Sequence, residues 1–420
     1  MCIRDRYDID YCVRCSLCKW VNPWDLKSAR FAKICPSNAY YLFDAYSAQG
    51  RMDIAKGILD EARRTLLIKS PKLLEAIYAC TTCGACDIMC KRSQDLEILE
   101  TLLELRKHIV KHEIGPLPKH IEFSESILKN HNPYQEPHEN RLAWLDKSKE
   151  MSSKAKIIYF IGCTTSYRMI EIAKSTIDIL EKAEVDYTIL GKNEWCCGSP
   201  LLRTGQETLA QELIEHNIKV IEEAGAELVI TSCAGCYSTL KVEYPKFAKF
   251  NFQIKHSIEF IEDLISSEKL EPFSNKLNMK VTYHDPCHLG RLSEPYIPWK
   301  GSRVAFGKFD PPKELRRGTF GMYQPPRNII SAIPGLELNE MERIKEYSWC
   351  CGAGGGVRAA FPEFSLWAAK ERVEEAELTG ADAIVTCCPF CKRNLKDSIE
   401  TEGKKIQIYD LIELVAKSLK

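Results

Sequence analysis

Cysteine is the residue through which this chain does chemistry: 18 of its 20 cysteines stand at spacings that suit a metal. Cys12, Cys15 and Cys18 form C-x2-C-x2-C, with Cys35 following later, just before Pro36. Cys80, Cys83, Cys86 and Cys90 form C-x2-C-x2-C-x3-C. Farther on come Cys163, the adjacent pair Cys196–Cys197, and the C-x2-C of Cys233 and Cys236. The same set then returns as Cys287, the pair Cys350–Cys351, and Cys388 with Cys391. Three thiolates at i, i+3 and i+6 let a tight loop hold three irons of one cubane, the fourth ligand arriving from elsewhere. Structural zinc usually takes four ligands from two separated C-x2-C knuckles, which leaves the third cysteine of each triplet unexplained. Two cubane [4Fe–4S] clusters are therefore expected in the N-terminal region.

The second run has the spacing of bacterial ferredoxins, where the fourth cysteine serves the other cluster. By that crossed rule Cys12, Cys15, Cys18 and Cys90 hold one cubane, and Cys35, Cys80, Cys83 and Cys86 hold the other. Two departures bear on the details. Cys18 and Cys35 are separated by 16 residues, among them Trp20, Pro23 and Trp24, and Lys91 takes the place of the usual proline. Loop length costs little once a cluster is bound; Cys35 is the ligand that this insertion touches.

The rest of the composition narrows the field. At 420 residues the chain exceeds one ordinary core and suggests two or three domains. Lys+Arg and Asp+Glu both total 58, which argues against a general nucleic-acid binder or a surface held to membranes by charge. No apolar run reaches the ~18 residues that would span a bilayer. The charged stretch Met1–Asp10 lacks the apolar segment of an export signal, so a cytoplasmic location is expected. Cys2, within Met1–Arg6, is given no role.

The elements that must position the cysteines follow from periodicity. Residues 36–79 read helical, as in the spacing of Ile54, Ile58, Leu59 and Ala62, and Leu96, Leu99, Leu102, Leu103 and Ile109 mark a further helix. Residues 1–114 are thus expected to be an all-α two-cluster module, followed by a proline-rich surface linker over 115–154. From Lys154 the pattern becomes α/β. Strands at Lys156–Ile161, Val185–Leu190 and Leu228–Thr231 lead to Cys163, Cys196–Cys197 and Cys233, with helices at Ile170–Lys182 and Glu207–Ala224 between them.

This unit is then repeated. Trp349-Cys350-Cys351-Gly352 matches Trp195-Cys196-Cys197-Gly198 at an offset of 154, and Ala381–Leu395 matches Ala226–Leu240 at 155. Cys287 lies only 124 beyond Cys163, so the second copy holds about 30 extra residues. The expected domains are 155–275 and 276–420, related by duplication, with an insertion at about 291–327. Cys387 aligns with Ser232 and is read as a non-ligand.

Each repeat offers five cysteines where zinc or a cubane needs four. A vicinal disulfide at each pair would be strained and out of place in a reducing cell. The pattern C-x(32)-CCG-x(34)-C-x2-C, its longer partner, and the stretch Tyr283-His284-Asp285-Pro286-Cys287-His288-Leu289-Gly290-Arg291 resemble the cysteine-rich CCG domains of the heterodisulfide reductase family. The order of a ferredoxin module followed by two CCG domains resembles its D-type members, equivalent to fused C- and B-type ones. The resemblance implies a noncubane [4Fe–4S] cluster in each CCG domain: one on Cys163, Cys196, Cys197, Cys233 and Cys236, the other on Cys287, Cys350, Cys351, Cys388 and Cys391.

The family implies two functions. One is an anaerobic oxidoreductase subunit that relays electrons from the two cubanes to the two noncubane clusters, then to a flavoprotein or to a CoA-ester or hydroxy-acid oxidoreductase. The other is a disulfide reductase whose catalytic groups are the clusters on the Cys197 and Cys351 sets. The relay is the preferred expectation, because the insertion is expected at the mouth of a shared cavity and because electron-relay members are common in the family that the chain resembles. A heteromeric complex with redox partners, a membrane cytochrome among them, would hold the chain at the inner face of the membrane. His284 and His288, beside Cys287, read either as packing residues or as donors to a cluster sulfur. Gly354, Gly355 and Gly356 would bring backbone N–H groups near a cluster. Lys300, Arg303, Lys308, Lys313, Arg316, Arg317 and Arg327 outnumber Glu294, Asp310 and Glu314 around the insertion, which suggests a docking place for a partner or anionic substrate.

Overall fold

The structure is a computed structural model that describes residues 8–146, 152–270, 273–304 and 308–419. Its N-terminal part is helical, with helices at Pro36–Tyr41, Ala48–Leu59, Glu61–Leu67, Leu73–Tyr78, Ala85–Cys90 and Ile98–Lys111. Local chemistry sets their ends. Ser47 accepts the Gly50 amide and Asp60 accepts the Arg63 amide, each satisfying a donor that a helix start leaves free. Leu102, Leu105 and Ile109 line one face of the last helix and pack on Met52, Ala55, Ile58 and Ile77. The long loop between Cys18 and Cys35 folds back on itself. Val21 donates to the Ala32 carbonyl and Ile34 to the Lys19 carbonyl, so Cys35 returns beside the residue that follows Cys18.

Two four-stranded parallel sheets follow. In the first, β1 (Ile157–Tyr159), β2 (Tyr187–Thr188), β3 (Leu228–Thr231) and β4 (Gln253–His256) take the order β2-β1-β3-β4. The second copy contains β5 (Met279–Tyr283), a small hairpin of β6 (Ser302–Arg303) and β7 (Phe309–Asp310) inside the insertion, then β8 (Leu336–Leu338), β9 (Ala383–Thr386) and β10 (Gln407–Asp410). Its sheet reads β8-β5-β9-β10, the same order element for element.

The duplication runs beyond the stretch that sequence matching detects. His256 and Glu259 make a capping box at the helix Ser257–Ser266, and Asp410 and Glu413 make the same box at Leu411–Ser418, again 154 residues on. The helix Ile170–Lys182 packs on Leu411–Ser418, and Ser257–Ser266 packs on Gln324–Ala332. Each repeat thus covers a helix of the other, and one apolar cluster runs through both sheets from Tyr159 and Ile230 to Val281 and Ile384.

The segment 115–154 differs from the expected surface linker. It forms a helix at Pro118–Asn130 that buries His120, Phe123 and Ile127, and it delivers His131, Tyr134 and Arg141 to the first CCG repeat. Its prolines start and end structure: Pro118 opens the helix, where a missing N–H costs nothing.

Candidate functional site

All 19 described cysteines are free thiols, and Cys2 lies outside the described residues. In the helical part, Cys12, Cys18 and Cys90 are buried in one apolar cluster, while neighbouring Cys15 is exposed. Cys35, Cys80, Cys83 and Cys86 line a second small pocket. Burial pushes Cys18 up to about 12, helped by the nearby Cys35, Cys90 and Cys12. Burial likewise pushes Cys35 up to about 11, against the opposing charge of Arg51. The two sets lie near enough that Cys35 raises Cys18 and Cys18 raises Cys86. Arg51 is fully buried and donates to the Tyr46, Ala76 and Ala79 carbonyls and to Ser37 Oγ, which pins the loops carrying Cys35 and Cys80.

The ten cysteines of the α/β repeats sit at the carboxyl ends of the strands, the edge where open parallel sheets bind ligands. Cys163 follows β1 and Cys287 follows β5. Cys233 follows β3 at the start of helix Ala234–Ser238, and Cys388 follows β9 at the start of Pro389–Thr401. Gly198, at φ +82°, makes the turn after Cys196–Cys197, and Gly352, at φ +92°, makes it after Cys350–Cys351. A β-carbon on Gly352 would meet the Ser365 carbonyl at 2.5 Å, so the turn requires glycine.

All ten line a single cavity of about 330 Å³. Phe123, Pro133, Tyr134, Pro200 and Phe390 add apolar wall, and Arg203, Arg358 and Arg393 add positive charge. Within it, neighbouring thiols perturb one another's acidity in an unbroken succession. It runs from Cys163 to Cys196, Cys197, Cys236 and Cys233, and crosses to the other repeat at Cys388. From there it continues through Cys391, Cys351 and Cys350 to Cys287. Cys350 shares a buried cluster with Cys83 of the helical part, and its proximity brings Cys83 down to about 6 against burial.

Groups around the thiols are donors. Arg141, buried and paired with Glu194, lies 3.8 Å from Cys163 Sγ; Glu194 in turn accepts the Ile161 and Gly162 amides. His288 Nδ1 is 3.4 Å from Cys287 Sγ, and the Gly352 amide donates to Cys350 Sγ at 3.4 Å. His284 lies within 4.8 Å of the Cys351 and Cys391 thiols. Trp195 is sandwiched between His131 and His216 at 3.9 and 3.5 Å, whereas its twin Trp349 lies under the Arg343 guanidinium at 4.4 Å. Sulfur donors buried in such numbers, unpaired as disulfides and gathered round a cavity, fit iron–sulfur clusters.

The profile of the cysteine-rich domain family matches residues 157–241 and again 312–396, and that of the 4Fe-4S dicluster domain matches residues 8–93. The chain is 36% identical to the D-type subunit of the dihydromethanophenazine:CoB–CoM heterodisulfide reductase of Methanosarcina acetivorans, over 98% of this chain and 94% of that one. The chain belongs to the D-type heterodisulfide reductase family. It is also 32% identical to the B-type subunit of the fumarate reductase (CoM/CoB) of Methanothermobacter marburgensis, over 81% of this chain and 61% of that one. With EtfAB:quinone oxidoreductase of Syntrophomonas wolfei it shares 26% identity over 99% of this chain and 59% of that one. As a member of this family the chain is an iron–sulfur electron-transfer subunit.

In this D-type protein the insertion does not lie at the cavity, since none of its described residues lines the wall. Four of its cations face the ferredoxin part instead. Lys313 pairs with Glu97, Arg316 with Asp95, and Arg317 with Asp87 and Glu100, while Arg303 reaches the Gln94 carbonyl. Arg327 is taken by Asp285 and Glu340. Three of the seven cations are thus matched by acids of the first module, a match that sequence separation hid. Gly354–Gly356 line the cavity and also let the second repeat close on the first module: β-carbons at Gly354 and Gly355 would meet the Thr81 and Cys80 carbonyls at 2.6 and 2.3 Å. Arg106, which the sequence did not single out, ties the same junction by donating to the Cys80, Arg203 and Gly355 carbonyls. Cys387 is fully buried and does not line the cavity; it takes the place that Ser232, bonded to Tyr159, holds in the first repeat.

Proposed function

We propose that this chain relays electrons along its cysteine sets, from the ferredoxin module into the paired CCG sites and on to a partner redox protein. The ligands in this reading are Cys12, Cys15, Cys18 and Cys90 for one cubane, and Cys35, Cys80, Cys83 and Cys86 for the other. The two groups of five in the repeats would hold noncubane clusters. When bound, these groups supply one-electron storage at four places. The observation that carries the reading is the single buried cluster that holds Cys83 together with Cys287 and Cys350, which joins the ferredoxin cysteines to the CCG cysteines. The working division is 1–114, 115–154, 155–275 and 276–420. The sequence holds no flavin or nicotinamide fingerprint, so the two-electron chemistry belongs to partners. Relatives named as subunits of a heterodisulfide reductase and a fumarate reductase support a heteromeric complex; in this reading it is cytoplasmic and includes a flavoprotein or a membrane cytochrome.

A second reading is favoured by the shared cavity. A disulfide has two sulfurs, and cleaving it takes two electrons and two protons to give two thiols. Ten cysteines around one space offer a metal to each sulfur, and Arg203, Arg358 and Arg393 suit an anionic substrate. With the insertion away from the cavity, the steric ground for preferring the relay is removed. Offering the anaerobically reduced protein an anionic heterodisulfide or its co-purified partner distinguishes the two. Sustained thiol release that is lost in Cys197→Ala and Cys351→Ala establishes the reductase; oxidation by the partner alone establishes the relay.

A further inference from the structure

The two CCG sites are built alike in sulfur but differ in the donors around it, and His284 is one that only the second site has. His284, at the end of β5, is fully buried. Its backbone is clamped by the Val385 carbonyl, which accepts its amide at 2.8 Å, and by Thr386 Oγ1, which donates to its carbonyl. Arg372 Nε donates to His284 Nδ1 at 3.1 Å. Arg372 is itself buried and held by Glu375, by the Arg343 carbonyl and by Ser348 Oγ, so its direction is set by three partners.

An arginine Nε–H has no lone pair to offer and stays protonated. Nδ1 of His284 must therefore be the acceptor, which puts the ring hydrogen on Nε2. That Nε2 is buried without a hydrogen-bond partner in protein, and the ring lies within 4.8 Å of both Cys351 and Cys391 thiols. A buried N–H with no acceptor costs free energy, and thiolate or sulfide sulfur is the acceptor this corner provides. The same tautomer leaves no lone pair on Nε2, so His284 is unsuited to bind iron directly.

The first repeat has no counterpart. Cys287 lies 124 residues after Cys163, and the residue 124 before His284 is Phe160, buried and unable to donate. We propose that His284 is an N–H donor to the sulfur ligands of the second CCG site, fixed in that role by Arg372, and that it sets the reduction potential of this site apart from its twin. The inference rests on the reading that each group of five cysteines holds a cluster. Hydrogen bonds to ligand sulfur stabilise the reduced, more negative state and raise the potential.

The test is an EPR-monitored redox titration of the anaerobic protein beside His284→Phe, which installs the first repeat's residue, and His284→Gln, which keeps an N–H. In His284→Phe the iron content stays the same. One CCG signal shifts so that its reduced-to-oxidised ratio at fixed potential falls about tenfold, ~59 mV for one electron, while the other signal stays in place. His284→Gln recovers most of the shift. Pulsed EPR of the unmodified protein in D2O serves if a variant folds poorly: an exchangeable deuteron near the second site is expected, without the strong nitrogen coupling of a direct ligand. Full iron with no shift in His284→Phe, no such deuteron, or a ligand-strength nitrogen coupling would overturn the role of His284. Absence of iron on the CCG cysteines of the unmodified protein would instead overturn the cluster reading beneath it.

Discussion

Replacing Arg317 with alanine tests how the insertion is held. The Arg317 side chain is 6% exposed and bonds Asp87 Oδ2 at 2.7 Å and Glu100 Oε1 at 2.6 Å. Its loss leaves two acids facing each other, one almost wholly buried. Breaking a buried pair from one side costs about 3–5 kcal/mol. The lower end applies here, because Glu100 keeps some access to water and Asp87 can protonate. Burial already pushes Asp87 up to about 6 with Arg317 opposing it, and without Arg317 it rises further. About 3 kcal/mol is two decades in an opening equilibrium at ~1.4 kcal/mol per decade. Amide hydrogen exchange over residues 308–327 is thus expected to speed up about a hundredfold, with iron content unchanged because no thiol is touched. Arg317→Met combined with Asp87→Asn should lose less than Arg317→Ala, since fewer charges are stranded. Unchanged protection over 308–327 in Arg317→Ala would refute the insertion's anchoring through this cation.

Cys387→Ser should leave iron content and visible spectra as they are, since Ser232 already fills the equivalent place beside Tyr159; loss of one cluster's iron would show that the repeat alignment misplaces a ligand. Gly355→Ala adds a β-carbon 2.3 Å from the Cys80 carbonyl at a positive φ, so stopped-flow reduction should show slower filling of the CCG centres behind the ferredoxin centres. An unchanged filling rate would count against that junction as the route. Cys35→Ser should remove or convert one ferredoxin centre and spare the other three, read by EPR; four intact signals would exclude Cys35 as a ligand.

Much of this is legible in the sequence because thiolate spacing is a local signal. The triplets, the vicinal pairs and the offsets of 154 and 155 carry the module order and both parallel sheets. The strands β4 and β10 are short, half-buried and carry little pattern, so periodicity does not reveal them, though their capping residues repeat at the same offset. Residues 115–154 read as a linker because prolines at helix starts look like loop prolines. The insertion's place depends on ion pairs with residues more than 200 positions away, such as Arg317 with Asp87, which no window along the chain reveals. The tautomer of His284 likewise depends on Arg372, 88 residues on.

Iron and acid-labile sulfide per chain, measured on anaerobically purified protein and sorted by Mössbauer spectroscopy, test the central claim most directly. About 16 irons are expected, four at each of four sites, half of them in an environment distinct from ordinary cubanes. About eight irons, all cubane-like, with zinc on the remaining cysteines, would contradict the continuous redox series and leave only the ferredoxin module standing.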